Sequence, residues 1–216
     1  MPPGEPIEGF VAPDVRAEFP ALRLHWATTP ARVRRSPPAL RRRLGEMSNR
    51  YLGAGVVSMR TRSIPQSYRA FFRQIGLDPD VQRIPSERAA VNRLLHGGFR
   101  SIDLVSDACL AALIETGVPV WALDAEAVDP AGPGIRTATA GEADLMPVAS
   151  PAGGLVVADA ARPLAILFED PPPEYCPGPR TREVVLFTVA VEGVPDIHVD
   201  EALWCAADLL GPPERG

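Results

Sequence analysis

Residues 101–124, SIDLVSDACLAALIETGVPVWALD, change their periodicity in mid-stretch. Leu104, Ala108, Ala111, Ala112 and Leu113 recur at three-to-four spacing behind a Ser101 or Asp103 cap, which predicts a helix that stops at Gly117. The run that follows, 118–123, has lost that period and reads as a strand. Upstream the helical pattern dominates. Ser36 before Pro37 and Pro38 opens a helix over 37–52 with Leu40, Leu44 and Met47 on one face. A second runs from about Pro65 to Gly76, with Tyr68, Phe71, Phe72 and Ile75 together. A third starts at Ser86-Glu87, turns Val91, Leu94 and Leu95 inward and ends at Gly97-Gly98. Downstream, strands are expected at 134–138, 145–148, 154–158, 164–168 and 184–191, before a closing helix over 199–210 with Leu203, Trp204, Ala207 and Leu210 in register. Only 19–26 (FPALRLHW) alternates as a strand ahead of the helices, and 1–17 reads as a loose lead-in rich in Pro, Gly and acids. Helices first and strands afterwards predict an α+β class, with one domain over 18–216. The stretch 169–182 carries five Pro in fourteen residues, the mark of an ordered surface loop or a flexible excursion.

With 216 residues, 46% hydrophobic and 23% charged, the composition is that of a soluble globular chain. Apolar runs such as 184–191 fall far short of the ~20 residues that cross a bilayer, and the opening MPPGEPIEGF lacks a basic-then-apolar leader. Cys109, Cys176 and Cys205 are odd in number and widely spaced, so reduced thiols and a cytoplasmic address are expected. All 22 basic residues are Arg, and they are unevenly placed. Residues 1–100 hold 17 Arg against 8 acids (net +9), and residues 101–216 hold 5 against 19 (net −14). An Arg-rich half either lies along phosphates, which guanidinium forks grip bidentately, or neutralises the acidic half within one fold. The cluster Arg32, Arg34, Arg35, Arg41, Arg42 and Arg43 is the best candidate for an outward-facing basic surface.

Chemical motifs are scarce. There is no GxGxxG or GxxxxGK[ST] to cradle phosphates, no GxSxG elbow, and the three His (25, 96 and 198) lie in separate elements without ligand spacing. His96 at a helix end suits the negative dipole terminus. His25 sits beside Trp26 at a strand end, and Trp26, Trp121 and Trp204 are most simply core. Asp103 and Asp107, four apart, share a helix face. No metal, cofactor or catalytic residue is assigned.

The stretch 68–124 carries a resemblance. Tyr68-Arg69 with Phe72, Gly76, Asp78 and Pro79 forms one motif. Pro85-Ser86-Glu87 with Asn92-Arg93-Leu94 forms a second. Arg100-Ser101-Ile102-Asp103, Val105 and Asp107, followed by Gly117, Pro119, Ala122 and Asp124, form a third. In order and spacing these resemble the B3/B4 domain of the bacterial phenylalanyl-tRNA synthetase β subunit, in the variety found as a free-standing protein. Val156-Val157-Ala158-Asp159 and Thr181-Arg182 before Val184-Val185-Leu186 extend the resemblance to about 70% of the chain. It implies a β-sandwich core of unusual topology with flanking helices, a tRNA-contacting role, and a cleft near strand 118–124. In the synthetase that cleft hydrolyses tyrosine misattached to phenylalanine tRNA.

Here the family's pocket His falls at Trp121, its Glu at Ala161, the Asn of its TN pair at Leu110, and the first Asn of its INN at Asp103. The resemblance thus implies the scaffold without the hydrolytic lining. It places a ligand pocket at Trp121, Asp103, Asp107, Asp124 and Ala161, with Trp121 either stacking on an aromatic ligand or base or filling the vacated space. RNA contacts are expected from the Arg32–Arg43 cluster with Arg93 and Arg100. The expected role is recognition of tRNA or its aminoacyl end. The alternatives are a trans-acting aminoacyl-tRNA deacylase using Asp103, Asp107 or His96, and a small-molecule or protein interaction module holding a small aromatic ligand.

Overall fold

The computed structural model describes residues 4–50, 58, 60–145 and 154–211, with the side chains of 143–145 left aside. Its described elements in chain order are β1 (Ile7–Glu8), α1 (Pro13–Glu18), β2 (Arg23–Pro30), α2 (Pro38–Arg50), α3 (Ser63–Gln74), α4 (Pro85–His96), α5 (Leu104–Thr116), β3 (Val120–Asp124), β4 (Gly134–Thr137), β5 (Leu155–Ala158), β6 (Pro163–Ile166), β7 (Glu183–Ala190) and α6 (Asp196–Leu210). The class is mixed α+β, with two antiparallel sheets. One has the order β1-β2-β7-β3 and the other β4-β5-β6.

The apolar run at 184–191 becomes the inner strand of the larger sheet. β7 pairs with β2 on one side (Trp26 opposite Phe187) and with β3 on the other (Trp121 opposite Phe187). Every residue from Val184 to Ala190 is buried, because both sheet faces are covered and a two-sided strand reads as a continuous hydrophobic run. One face carries Trp26, Phe187 and Trp121. The other meets α6, whose Asp196 pairs with Arg23 at 2.7 Å and whose Asp200 lies 3.6 Å from His25. The smaller sheet is tied to the larger one through residues 10–12: the Ile135 amide donates to the Phe10 carbonyl and the Ala12 amide to the Ile135 carbonyl, each at 2.8 Å. Gly132, at φ +85°, lies under the Trp26 indole, where a Cβ would come within 2.2 Å of the ring.

Polar side chains fasten the helices. The buried Tyr68 hydroxyl donates to the Val189 carbonyl at 2.8 Å, joining α3 to β7. Arg69 and Glu87, both nearly inaccessible, pair at 2.9 Å and lock α3 onto α4. Asp103 caps α5 by accepting from the amides of Val105 and Ser106, and Gly117 ends that helix at φ +80°.

Four expectations need correction. The 1–17 segment is not merely a lead-in, since it contains β1 and α1, elements too short to show a period. On α4, Leu94 and Leu95 are 50% and 75% exposed, while Glu87, Ala90 and Arg93 face inward. Buried polar pairing, not hydrophobicity, sets the inner face of that helix. Trp204 is 48% exposed instead of lying in the core with Leu203. Leu145 ends a 3-10 turn, and the remainder of the strand expected at 145–148 lies outside the described residues. Among the described residues no helix is long and apolar enough to cross a membrane.

Candidate functional site

A cleft of about 830 Å³ opens between α4, α5, the edge strand β3 and the Pro-rich segment 170–177. Its volume falls in the range of small-ligand sites. The lining is mainly apolar: Phe99 and Ile102 at the mouth, Leu110 and Leu113 from α5, and Trp121 from β3. Trp121 is buried and stacks on Phe187, with ring centroids 5.4 Å apart and planes 17° from parallel. Phe168 packs beside it at 6.3 Å and also meets Tyr68, Phe71 and Phe72. One edge of the indole thus belongs to an aromatic core, and the residue still contributes to the cleft wall.

Phe168 adopts φ +66°, a left-handed conformation that is costly for a bulky side chain. Its rings of neighbours and an Arg88 guanidinium bond to its carbonyl at 2.9 Å hold it there. The second arm of Arg88 reaches Glu169 at 2.6 Å, joining the α4 wall to the opposite wall. The Pro-rich wall is ordered by its own bonds. Tyr175 donates its amide to Pro172 and accepts from the Asp124 amide at 2.9 Å, and the Cys176 thiol donates to the Pro171 carbonyl at 3.2 Å.

The ionisable groups expected in the pocket are placed as follows. Asp103 and Asp107 both line the cleft, and both are committed. Asp103 caps α5 and also accepts from the Ser106 hydroxyl at 2.8 Å. Asp107, 1% exposed, accepts from the Ser36 hydroxyl at 2.5 Å, from the Ser101 hydroxyl, and from the Ile102 amide at 2.9 Å. Asp124 lies at the end of β3 outside the cleft, accepting from the Thr181 hydroxyl and the Glu126 amide. Ala161 does not line the cleft; it is exposed in the β5–β6 turn that Asp159 organises. The equivalence with a pocket Glu fails there, because Asp159 binds the amides of residues 161 and 162 and so turns the chain into β6.

His96 lines the cleft, and its Nδ1 donates to the Asn92 carbonyl at 2.8 Å. Two thiols line the cleft, Cys109 from α5 and Cys176 from the Pro-rich segment. Burial, then the charges of Asp103 and Asp170, push the Cys109 thiol up to about 12, and burial followed by Asp170 and Glu174 raises that of Cys176. Both therefore stay protonated near neutrality, and a protonated thiol is a poor nucleophile. Among the described residues no group of three or more His, Cys, Asp or Glu is placed to hold a metal ion.

The Arg residues divide into two sets. Arg23, Arg43 and Arg88 pair with Asp196, Glu115 and Glu169 of the acidic half, so part of the charge asymmetry is neutralised inside the fold. Arg93, expected to face RNA, is instead 7% exposed, its Nε donating to the Ser48 carbonyl and hydroxyl. Arg41 is half-buried. Arg32, Arg34, Arg35, Arg42 and Arg100 are exposed, and Arg100 lines the cleft. The loop bearing the first three is bonded to the cleft rim: the Leu104 amide donates to the Arg34 carbonyl at 2.8 Å, and Ser36 binds Asp107.

Sequence reasoning missed Arg88, Asn92, Cys109, Cys176 and Asp170, which the fold brings to the same cleft. No local pattern marks them. Asp170 in particular sits in the Pro-rich stretch, whose path follows only from its long-range bonds. No protein-family model matches the chain, and no curated protein matches it.

Proposed function

We propose that this is a free-standing B3/B4-like protein that recognises the aminoacyl end of a tRNA, with the exposed arginines of residues 32–42 on the phosphates and the cleft around the aminoacyl group. The observation that carries this reading is the bonding of the Arg-rich loop to the cleft rim through Ser36, Asp107 and Leu104. A polyanionic chain lying along Arg32, Arg34 and Arg35 arrives beside Arg100, and its terminal group then meets an apolar cavity walled by Trp121. The role is recognition without hydrolysis, because Asp103 and Asp107 are held as a cap and a rim fastener and the cleft thiols are protonated. The motifs of the synthetase-type scaffold have structural duties compatible with that reading: Tyr68 and Arg69 lock α3, and Arg93 locks α4 against α2.

Binding of total tRNA over a salt series tests it. Each phosphate released from its counterions contributes about 0.7–0.9 to the slope of log affinity against log salt. Replacing Arg32, Arg35 and Arg42 together by alanine is expected to reduce that slope by about 2. An unchanged slope, or no tRNA binding by the wild-type chain, removes the reading. The cavity volume supports one other reading, a module for a small aromatic ligand, which a thermal shift by such a ligand with no effect of tRNA would favour.

A further inference from the structure

The charged groups of the cleft differ in what they are already doing. Asp103 and Asp107 each accept three hydrogen bonds within the fold. Arg88 is held by Glu169 and the Phe168 carbonyl. Cys176 donates to Pro171, and the Ser106 hydroxyl to Asp103. Asp170 is different: it lines the cavity from the Pro-rich wall, is exposed to it, and has no hydrogen bond or ion pair among the described residues. It adds, after burial, to the upward shift of the Cys109 and Cys176 thiols that line the same cleft. Neither neutral thiol answers it. Arg100, exposed at the same cleft, adjoins the Ser101–Leu104 segment bonded to the Arg-rich loop, on the side assigned to the phosphates.

We infer that Asp170 is the cation-recognising residue of the cleft, and that the cleft selects ligands combining a primary ammonium with an apolar body. This rests on the proposed function and deepens it. An aminoacyl ester carries an ammonium and no carboxylate, whereas a free amino acid carries both. One uncommitted carboxylate beside an apolar wall matches the ammonium and side chain that an aminoacyl ester presents. An ammonium brought there exchanges water for a charge-assisted bond to Asp170, while the adjoining apolar wall takes the ligand's body.

Phenylalaninamide, N-acetylphenylalaninamide and phenylalanine, titrated into the full chain by calorimetry, test this without the labile ester. The wild-type chain is expected to bind phenylalaninamide at least ten-fold more tightly than its N-acetyl form, and phenylalanine, which shares the ammonium, more tightly than the N-acetyl form as well. Asp170→Asn is expected to abolish its advantage over the N-acetyl compound, while thermal midpoint and tRNA salt slope stay unchanged because the side chain is exposed and makes no internal bond. Equal affinities for the amine and its N-acetyl form, no binding of any of the three, or a preference that survives Asp170→Asn overturns the inference. The tRNA titration separates the two claims. A preserved salt slope without amine selectivity defeats only the role of Asp170. Amine selectivity without tRNA binding defeats the tRNA reading and leaves that role standing.

Discussion

Replacing Asp107 by alanine removes the carboxylate that fastens the Arg-rich loop to the first turn of α5. Its two oxygens accept from Ser36, Ser101 and the Ile102 amide, and both Asp107 and Ser36 are about 98% buried or more. A hydrogen bond to a charged acceptor contributes about 1.5–3 kcal/mol, and a buried donor left without a partner costs about 1–3 kcal/mol. The Ser101 hydroxyl and the part-buried Ile102 amide can bind water instead, so the loss falls mainly on the buried Ser36. Because neighbouring effects do not add fully, a destabilisation of about 3–5 kcal/mol is expected for Asp107→Ala. Asp107→Asn keeps one acceptor, and the serine hydroxyls can rotate to accept from its amide, so about 1–2 kcal/mol is expected there. Urea unfolding with linear extrapolation reads both. A cycle with Ser36→Ala should show at least about 1 kcal/mol of coupling. A loss below about 1 kcal/mol for Asp107→Ala, or additive single and double variants, would show that the carboxylate is not the fastener.

Two further outcomes follow from the ion pairs. Glu87→Ala leaves the Arg69 guanidinium buried beside the exposed Asp80 and a long bond to the Pro79 carbonyl, so a loss of about 3–5 kcal/mol is expected, while Arg69→Met with Glu87→Met should cost less than either single change, as chemical denaturation will show. Glu142 is gripped by both Arg136 nitrogens at 2.7 and 2.8 Å and by the Thr139 amide, and the guanidinium bond, with that amide second, lowers its carboxyl from 4.5 to about 2. Since the folded value lies below the unfolded one, its stabilisation is complete above about pH 4.5 and disappears as the pH falls toward 2. Glu142→Gln should flatten the stability profile across that window by no more than about 1 kcal/mol, the scale of a solvent-accessible pair. An identical profile in the variant contradicts the pairing.

Helix boundaries were readable because their causes are local. Asp103, Gly117 and Gly97 act on amides and backbone angles within a turn of themselves, so α4 and α5 start and stop close to where the residue types place them. The inner face of α4 was not readable by hydrophobic spacing. What it buries is Glu87 and Arg93, whose partners Arg69 and Ser48 come from α3 and α2. The strands were legible as runs, but their order was not, since β7 inserts between β2 and β3, more than sixty residues ahead of it. For the site, Asp103, Asp107 and Trp121 do meet at one cleft, because all three belong to the continuous α5–β3 unit. Asp124 and Ala161 fall elsewhere. Asp170 was invisible for the opposite reason: its approach to α5 depends on the Asp124–Tyr175 and Arg88–Glu169 bonds, which join distant parts of the chain.

In the proposed function the basic surface and the apolar cleft serve one ligand. The affinity ratio for aminoacylated over deacylated phenylalanine tRNA, measured at fixed salt in the wild-type chain and in Leu110→Trp, addresses it directly, because Leu110 faces the cavity and a larger ring there fills it. A ratio of about ten or more, falling to about one in the variant with the salt slope preserved, is predicted from one added charge-assisted bond and apolar contact. A wild-type ratio of one, or a ratio untouched by filling the cleft, would contradict it.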